Sequence, residues 1–150
     1  MKTSLLLVLS LFFLQFNMAQ AGQGDIEAAK ARFEEMVKLE AAFDPKVADL
    51  YEKGAHIEIQ QPGPGGGVYA LKLTGEEYQA QVKTLVADSK KAGLVWIYTD
   101  VSFDEEGPGV LIRGKRHIGE GQMNSIFNIM MVPNAEGVWR IRLEMGVLAR

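Results

Sequence analysis

The last third of the chain, residues 94–147, has the pattern of β-strands throughout. Residues 94–103 are rich in β-branched and aromatic side chains, and similar segments at 110–118, 123–132 and 138–147 follow after turn-forming residues. Four successive strands joined by short turns favour antiparallel neighbours in one sheet. This sheet constrains the fold more than any other feature, because every other segment must pack against it.

Two helices are predicted near the start of the chain. Residues 26–43 carry apolar side chains at helical spacing, with Asp25 as the predicted N-cap. A second, shorter helix is predicted to begin with Asp44 as its N-cap and Pro45 as its first residue, and Gly54 is predicted to end it.

Two short strands and a third helix connect these helices to the sheet. Alternation of apolar and polar residues predicts strands at 55–60 and 68–73. Thr74 and Glu77 have the spacing of a capping box, so the third helix begins there and stops near Gly93. The order helix, helix, strand, strand, helix and four strands predicts the α+β class, with helices on one face of a curved antiparallel sheet.

The run Pro-Gly-Pro-Gly-Gly-Gly at 62–67 lies between the two short strands. A phosphate-binding loop requires lysine and then serine or threonine after the last glycine, whereas Val68 and Tyr69 follow here. The flanking segments are too short to be separate domains. We interpret the run as a connection between two strands of one domain, which either borders a site or lies on the surface without a ligand role.

The first 21 residues have the layout of a secretory signal peptide. Lys2 gives a positive start, residues 5–16 are almost wholly apolar, and Ala19 and Ala21 are small residues at the cleavage positions. This apolar segment is short for a bilayer span, which needs about 20 residues, and the alternative is an uncleaved anchor. We predict cleavage after Ala21, one mature domain at 22–150, secreted or periplasmic localisation, and no stable membrane insertion after cleavage.

Composition narrows the classes of function. The chain has no cysteine, which excludes disulfides, thiol nucleophiles and thiolate metal ligands. Its formal net charge is −3 without a basic cluster, so we predict no nucleic-acid partner. Only two histidines are present and they are far apart in sequence, so we predict no metal and no other cofactor.

The strands of the last third carry apolar residues on both faces. For the last strand, alternation places Trp139, Ile141, Leu143, Met145 and Val147 on one face and Arg140, Arg142 and Glu144 on the other. For the other strands, we assign Trp96, Tyr98, Leu111, Ile126 and Met130 to one face and Val95, Ile97, Ile112, Phe127 and Ile129 to the opposite face. Because helices cover only one face, we predict a homodimer that covers the other.

Three segments carry a resemblance to a known family. They are FDPKVADLYEKGAHIEI at 43–59, LTGEEYQAQVKTLV at 73–86 and GVWRIRLEMGV at 137–147. In this order they resemble the nuclear transport factor two-like superfamily, which includes ketosteroid isomerases, scytalone dehydratase and polyketide cyclases. The resemblance implies a cone-shaped α+β barrel, with three helices packed on a strongly curved antiparallel sheet around an apolar pocket. It also implies a homodimer through the outer face of the sheet.

The resemblance does not supply a catalytic residue. In ketosteroid isomerases an aspartate lies between the first strand's glutamate and a proline, whereas here Glu58 is followed by Ile59, Gln60 and Gln61 before Pro62. Glutamine cannot act as a base, so the catalytic residues stay unassigned. Seven side chains are candidates for lining the pocket: Tyr51, His56, Glu58, Tyr78, Thr99, Arg116 and Ser125.

Each of the charged candidates has two interpretations. His56 is either a general base near neutral pH or a partly exposed structural histidine. Arg116 anchors a ligand carboxylate if its face lines the pocket, and it faces solvent if the register is inverted. We interpret Glu144, which is not among the seven, as pairing with an arginine across the sheet.

The sequence therefore predicts an exported binding or accessory domain with an apolar pocket for a small apolar ligand and no chemistry of its own. The alternative is a cofactor-free isomerase, dehydratase or cyclase that acts on a small apolar substrate with His56 and either a tyrosine or Asp100. A third interpretation is a dimeric structural protein whose interior is filled by side chains.

Overall fold

The structure, a computed structural model, describes residues 23–62, 67–118 and 123–149. The elements in chain order are α1 (Gln23–Ala41), a 3-10 helix (Pro45–Leu50), β1 (Tyr51–Pro62), β2 (Val68–Thr74), α2 (Gly75–Ala92), β3 (Trp96–Glu106), β4 (Gly109–Ile118), β5 (Met123–Pro133) and β6 (Trp139–Ala149). The predicted order of helices and strands and the α+β class are confirmed. The predicted signal peptide lies outside the described residues.

Local capping signals account for three of the helix boundaries. Asp44 is the N-cap of the 3-10 helix, where its side chain accepts a hydrogen bond from the backbone N–H of Lys46 at 2.9 Å. Thr74 and Glu77 form the predicted capping box of α2, and Gly93 ends that helix in the left-handed conformation.

Two predicted helix boundaries are wrong. The helix α1 begins two residues before Asp25, which therefore lies in the first turn rather than at the N-cap. The short helix ends at Leu50, and Gly54 lies inside β1 instead of ending the helix. The first strand is longer than predicted because it takes up the residues that follow Leu50.

The six strands form one mixed sheet in the order β2-β1-β6-β5-β4-β3. All neighbours are antiparallel except β1 and β6, which run parallel. The expectation of a strongly curved, wholly antiparallel barrel is therefore wrong, because the sheet is open, is not strongly curled and has β2 and β3 as its edges. A parallel pair joins strands far apart in sequence, which local patterns do not specify.

The glycine- and proline-rich run connects two paired strands, as predicted. Pro62 at the end of β1 pairs with Val68 at the start of β2, so the run closes an antiparallel hairpin. Residues 63–66 of the run lie outside the described residues.

Bulges in β3 and β6 change which side chains face the helices. In β6, Ile141 pairs with Met131 and Leu143 with Met130, which leaves Arg142 as an extra residue. In β3, two residues that include Asp100, at a φ of 54°, lie between the pairs made by Thr99 and Ser102. Each extra residue inverts the alternation of the rest of its strand.

The predicted face assignments fail at these bulges and at the register between β3 and β4. Trp139 and Ile141 are buried, but beyond the bulge Met145 and Val147 are exposed while Glu144 is buried. Tyr98 pairs with Arg116, so Trp96 and Tyr98 share the inner face with Ile112, Phe127 and Ile129 rather than the face of Ile126.

The core lies between the helices and the inner face of the sheet. Phe33 of α1 packs in an edge-to-face arrangement against Tyr98, with ring centroids 5.3 Å apart, and stacks on Phe127 at 6.0 Å. Val82 of α2 and Ile112 of β4 are also buried. Within the part of the chain that the structure describes, no helix is long and apolar enough to cross a membrane.

Candidate functional site

A cavity of about 270 Å³ lies between α2, the end of α1 and the sheet. Its apolar wall consists of aliphatic side chains from both strands of the β1–β2 hairpin, from α2 and from β6: Ile57, Ile59, Leu71, Leu73, Leu85 and Leu148. Its polar and aromatic wall consists of Glu40, Tyr51, Tyr78, Trp96, Arg116 and Glu144. A mostly apolar cavity with a few converging polar groups is the usual form of a small-molecule site.

Arg116 and Glu144 form an ion pair at the polar end of the cavity. Arg116 donates from Nη1 to Glu144 Oε1 at 2.7 Å, and both residues are buried. The hydroxyl of Tyr51 donates to the other carboxylate oxygen, Oε2 of Glu144. Burial lowers the pKa of Arg116, but the adjacent Glu144 carboxylate outweighs that effect and raises the pKa overall. Arg116 is therefore charged and already neutralised by a residue of the protein.

Two local features of β6 create this pair. The bulge at Arg142 turns Glu144 inward, where it pairs with Ile129 on the neighbouring strand. Gly146 then leaves room for the guanidinium, because a Cβ at that position would lie 2.8 Å from Nη2 of Arg116. Glu144 does pair with an arginine across the sheet, but the pair is buried rather than solvated.

Trp96 covers the guanidinium of Arg116. The Cζ atom lies 4.9 Å from the centroid of the tryptophan ring, which is a cation–π distance. The Nε atom of Arg116 is buried and has no hydrogen-bond partner among the described residues. Arg116 is thus held by Glu144 and Trp96, and a ligand carboxylate would have to compete with both.

Glu40, in the last turn of α1, is the second carboxyl group at the cavity. It accepts a hydrogen bond from the hydroxyl of Tyr98 at 2.6 Å through Oε2. Burial raises the pKa of Glu40 to about 7, although the Tyr98 hydrogen bond acts in the opposite direction. Its position near the negative, C-terminal end of the helix dipole also disfavours a negative charge on Glu40. Glu40 can therefore both bind and release a proton near neutral pH.

Tyr51 and Tyr78, which line the cavity, and Tyr98, the partner of Glu40, remain protonated. Burial raises the pKa of Tyr51, Tyr78 and Tyr98, and nearby carboxyl groups add to the effect. The hydroxyls of Tyr51 and Tyr98 are used by Glu144 and Glu40, respectively. The hydroxyl of Tyr78 makes no hydrogen bond to any described residue, so it is available to a ligand.

The structure brings three of the seven candidate residues to this cavity: Tyr51, Tyr78 and Arg116. Thr99 and Ser125 instead border a second depression of about 410 Å³ on β3, β4 and β5, which Arg116 lines as well. Of the two interpretations of Arg116, the structure has the one in which its face is the inner face, but the guanidinium is paired with Glu144 and is not free to anchor a carboxylate.

His56 and Glu58 lie outside the cavity. His56 is exposed, and its Nε2 atom lies 3.3 Å from Glu58 Oε2, which also pairs with Lys72 at 3.2 Å. Hydrogen bonds from Gln60 and Lys72 lower the pKa of Glu58. His56 cannot act with Asp100, because three strands separate β1 from β3 and strands lie about 4.8 Å apart.

The sequence reasoning missed Glu40, Glu144 and Trp96 as parts of the site. A signal for Glu40 was present, because it follows Phe33, Met36 and Val37 on the apolar stripe of α1 at helical spacing. An acid on such a stripe faces the core and needs an explanation. Within 23–62, 67–118 and 123–149, no cluster of acidic or histidine side chains could hold a metal ion.

Comparison with known proteins identifies the fold. No family model matches the chain, and no curated protein matches it. Among solved structures, a nuclear transport factor 2-like protein from Novosphingobium aromaticivorans with a cystatin-like fold is similar, with 12% identity over 83% of this chain and 82% of that one, at a TM-score of 0.62. A ketosteroid isomerase-like protein from Shewanella frigidimarina has 15% identity over 79% and 94% of the two chains, at a TM-score of 0.58.

A third similar structure contains a bound compound. A protein from Catenulispora acidiphila in complex with S-DNPA has 12% identity over 81% of this chain and 91% of that one, at a TM-score of 0.55. At these identities the comparisons establish the nuclear transport factor 2-like fold, and they leave the function to be argued from the cavity.

Proposed function

We propose that this protein binds a small, mainly apolar molecule in the cavity between its helices and its sheet. The observation that carries the proposal is the contrast between the two walls, which are aliphatic on one side and have a few polar groups on the other. A cavity of about 150 Å³ is enough for benzene, so about 270 Å³ accommodates a ring with a short substituent. The complex of the Catenulispora acidiphila protein supports the view that this fold can hold a small molecule.

The orientation of the ligand follows from the groups that remain available. Ile57, Ile59 and Leu73 offer only apolar contact. The polar end of the ligand then faces the hydroxyl of Tyr78 and the carboxyl group of Glu40, because Arg116 is already paired.

Binding of benzyl alcohol, used as a neutral probe, tests this proposal. We expect the indole N–H resonance of Trp96, which lines the cavity, to shift in an NMR titration, while that of Trp139 stays in place. Ile59→Trp should weaken binding at least about tenfold, because the added ring fills the cavity. Ala31→Trp, at an exposed position of α1 away from the cavity and from the outer face of the sheet, is the control. Saturable binding that leaves Trp96 unmoved would contradict the proposal.

A second candidate function is proton transfer to or from carbon, as in a cofactor-free isomerase, dehydratase or cyclase. Glu40 favours it, because a carboxyl group with a pKa of about 7 in an apolar cavity can serve as base and acid. Incubation with cyclohexanone in D₂O at pH 7 tests it by NMR. We expect deuterium exchange next to the carbonyl, which Glu40→Gln should slow by about a hundredfold or more. Equal exchange rates in the wild type and in Glu40→Gln would remove this candidate.

We also propose that the domain acts as a homodimer after export. Ile97, Ile126 and Val147 form an exposed apolar outer face, and a second copy is an economical cover for it. A clean monomer in sedimentation at micromolar concentration would contradict the dimer.

Export predicts that residues 1–21 are cleaved in the native host. Mass spectrometry of the intact mature protein should then give the mass of a chain that begins at Gly22, and a mass that still includes Met1 would contradict export by this route.

A further inference from the structure

The two carboxyl groups of the cavity differ in their partners. Glu144 is bound by the guanidinium of Arg116 and by the hydroxyl of Tyr51. Glu40 has only the hydroxyl of Tyr98, and its second oxygen accepts no hydrogen bond from any described residue. That oxygen is not fully buried, so it is accessible from the cavity or from solvent. Glu40 is thus an acid in an apolar site that lacks a cation of its own.

We propose that the ligand is a small apolar amine that binds as its cation, with Glu40 as the counter-ion. This inference rests on the proposed function and specifies the chemical class of the molecule in the cavity.

The charge balance of the site favours a cation over the other classes of ligand. Arg116 and Glu144 neutralise each other, so an ionised Glu40 leaves the described walls of the cavity with one negative charge. A ligand carboxylate would add a second negative charge beside the first, and a nearby like charge disfavours the ionised form of both groups. A protonated amine would instead bring the charge to zero and would supply the donors that the second oxygen of Glu40 lacks.

The other groups near Glu40 also suit an ammonium group. Tyr78 and Trp96 line this cavity together with Glu40. Aromatic faces attract cations, and the ring of Tyr78 can serve in this way, whereas one face of Trp96 is already used by Arg116. The free hydroxyl oxygen of Tyr78 can accept a hydrogen bond from a charged amine. Glu40, Tyr78 and Trp96 also line a smaller cavity of about 90 Å³.

The pH dependence of binding follows from the groups that surround Glu40. These are Tyr98 on β3, Arg116 on β4, Glu144 on β6, Tyr51 on β1 and Tyr78 on α2. Arg116 stays charged and the tyrosines stay neutral between about pH 5 and pH 8, whereas Glu40 changes its protonation state in this range. Glu40 must lose its proton to pair with an ammonium ion. Amine affinity should therefore rise about tenfold per pH unit below 7 and level off above it.

Three probes with one ring and different charges test the inference: benzylamine, benzyl alcohol and benzoate. At pH 8 we expect benzylamine to shift the Trp96 resonance with an affinity at least about tenfold higher than that of benzyl alcohol, and benzoate to bind more weakly than both. The hydroxyl of benzyl alcohol can donate to an ionised Glu40 or accept from a protonated one, so its affinity should change little with pH.

Variants separate a specific role of Glu40 from a change in net charge. Glu40→Gln should remove the preference for benzylamine and its pH dependence while benzyl alcohol still binds. Glu34→Gln removes an exposed acid from the same helix and should leave both unchanged. If benzyl alcohol binds but benzylamine binds no more tightly, or if Glu40→Gln keeps the preference, this inference is overturned and the proposed function stands. If no probe shifts the Trp96 resonance, the proposed function fails as well.

Discussion

Arg116→Met is expected to lower the free energy of unfolding by about 3–5 kcal/mol, because it leaves Glu144 buried without a cation. The hydroxyl of Tyr51 would remain as the only partner of that carboxylate among the described residues. Urea denaturation at pH 7 with wild type and variant measures the change.

A second arginine on the same strand provides the matched control. Arg113 pairs with Asp104 at 2.7 Å, but both side chains are about half exposed. Arg113→Met should therefore change stability by only about 0–1 kcal/mol. Equal costs for Arg113→Met and Arg116→Met would mean that burial of the inner pair is not important for stability.

The double variant Arg116→Met with Glu144→Leu distinguishes a pair that stabilises the fold from a pair kept for function. Removing both charges together avoids an uncompensated charge, so we expect the double variant to be more stable than Arg116→Met alone. Recovery should be incomplete, because Tyr51 loses the acceptor of its buried hydroxyl. A double variant as unstable as the sum of both single variants would show that the two side chains act independently.

The sequence predicts the order of elements because several of the boundaries depend on nearby residues. The capping box at Thr74 and Glu77 and the glycine at 93 are local signals, and each works through contacts within one turn of helix. The hairpin between β1 and β2 is likewise specified by a short glycine- and proline-rich connection.

The site could not be predicted to the same extent, because bulges and non-local pairing place its groups. Simple alternation along β6 puts Glu144 on the polar side, and only the extra residue Arg142 turns it inward. The parallel pairing of β1 with β6 brings Tyr51 to Glu144, a contact between residues 93 positions apart. Glu40 is the exception, because its place on the apolar stripe of α1 was visible in the sequence.

Glu40→Gln is expected to make the protein more stable than wild type at pH 8, with a difference of only about 1 kcal/mol or less at pH 5. The pKa of Glu40 is about 7 in the folded protein and near its ordinary value of 4.5 in the unfolded chain. The folded state therefore binds the proton more tightly, and stability falls as pH rises from about 4.5 to 7. The difference between these two pKa values corresponds to a change of about 3 kcal/mol in the free energy of unfolding.

Urea denaturation of three proteins at pH 5 and pH 8 tests this origin of the pH dependence. Wild type and Glu34→Gln should both lose up to about 3 kcal/mol between the two pH values through Glu40, and Glu40→Gln should lack that loss. Glutamine keeps an oxygen that can accept the hydrogen bond from Tyr98, so the variant removes the charge with little change in shape. An acid that destabilises the fold at neutral pH is a cost that binding of a cation would offset, and benzylamine at saturating concentration should then stabilise wild type more than Glu40→Gln. If benzylamine stabilised both proteins equally, Glu40 would affect folding but would have no role in binding the amine.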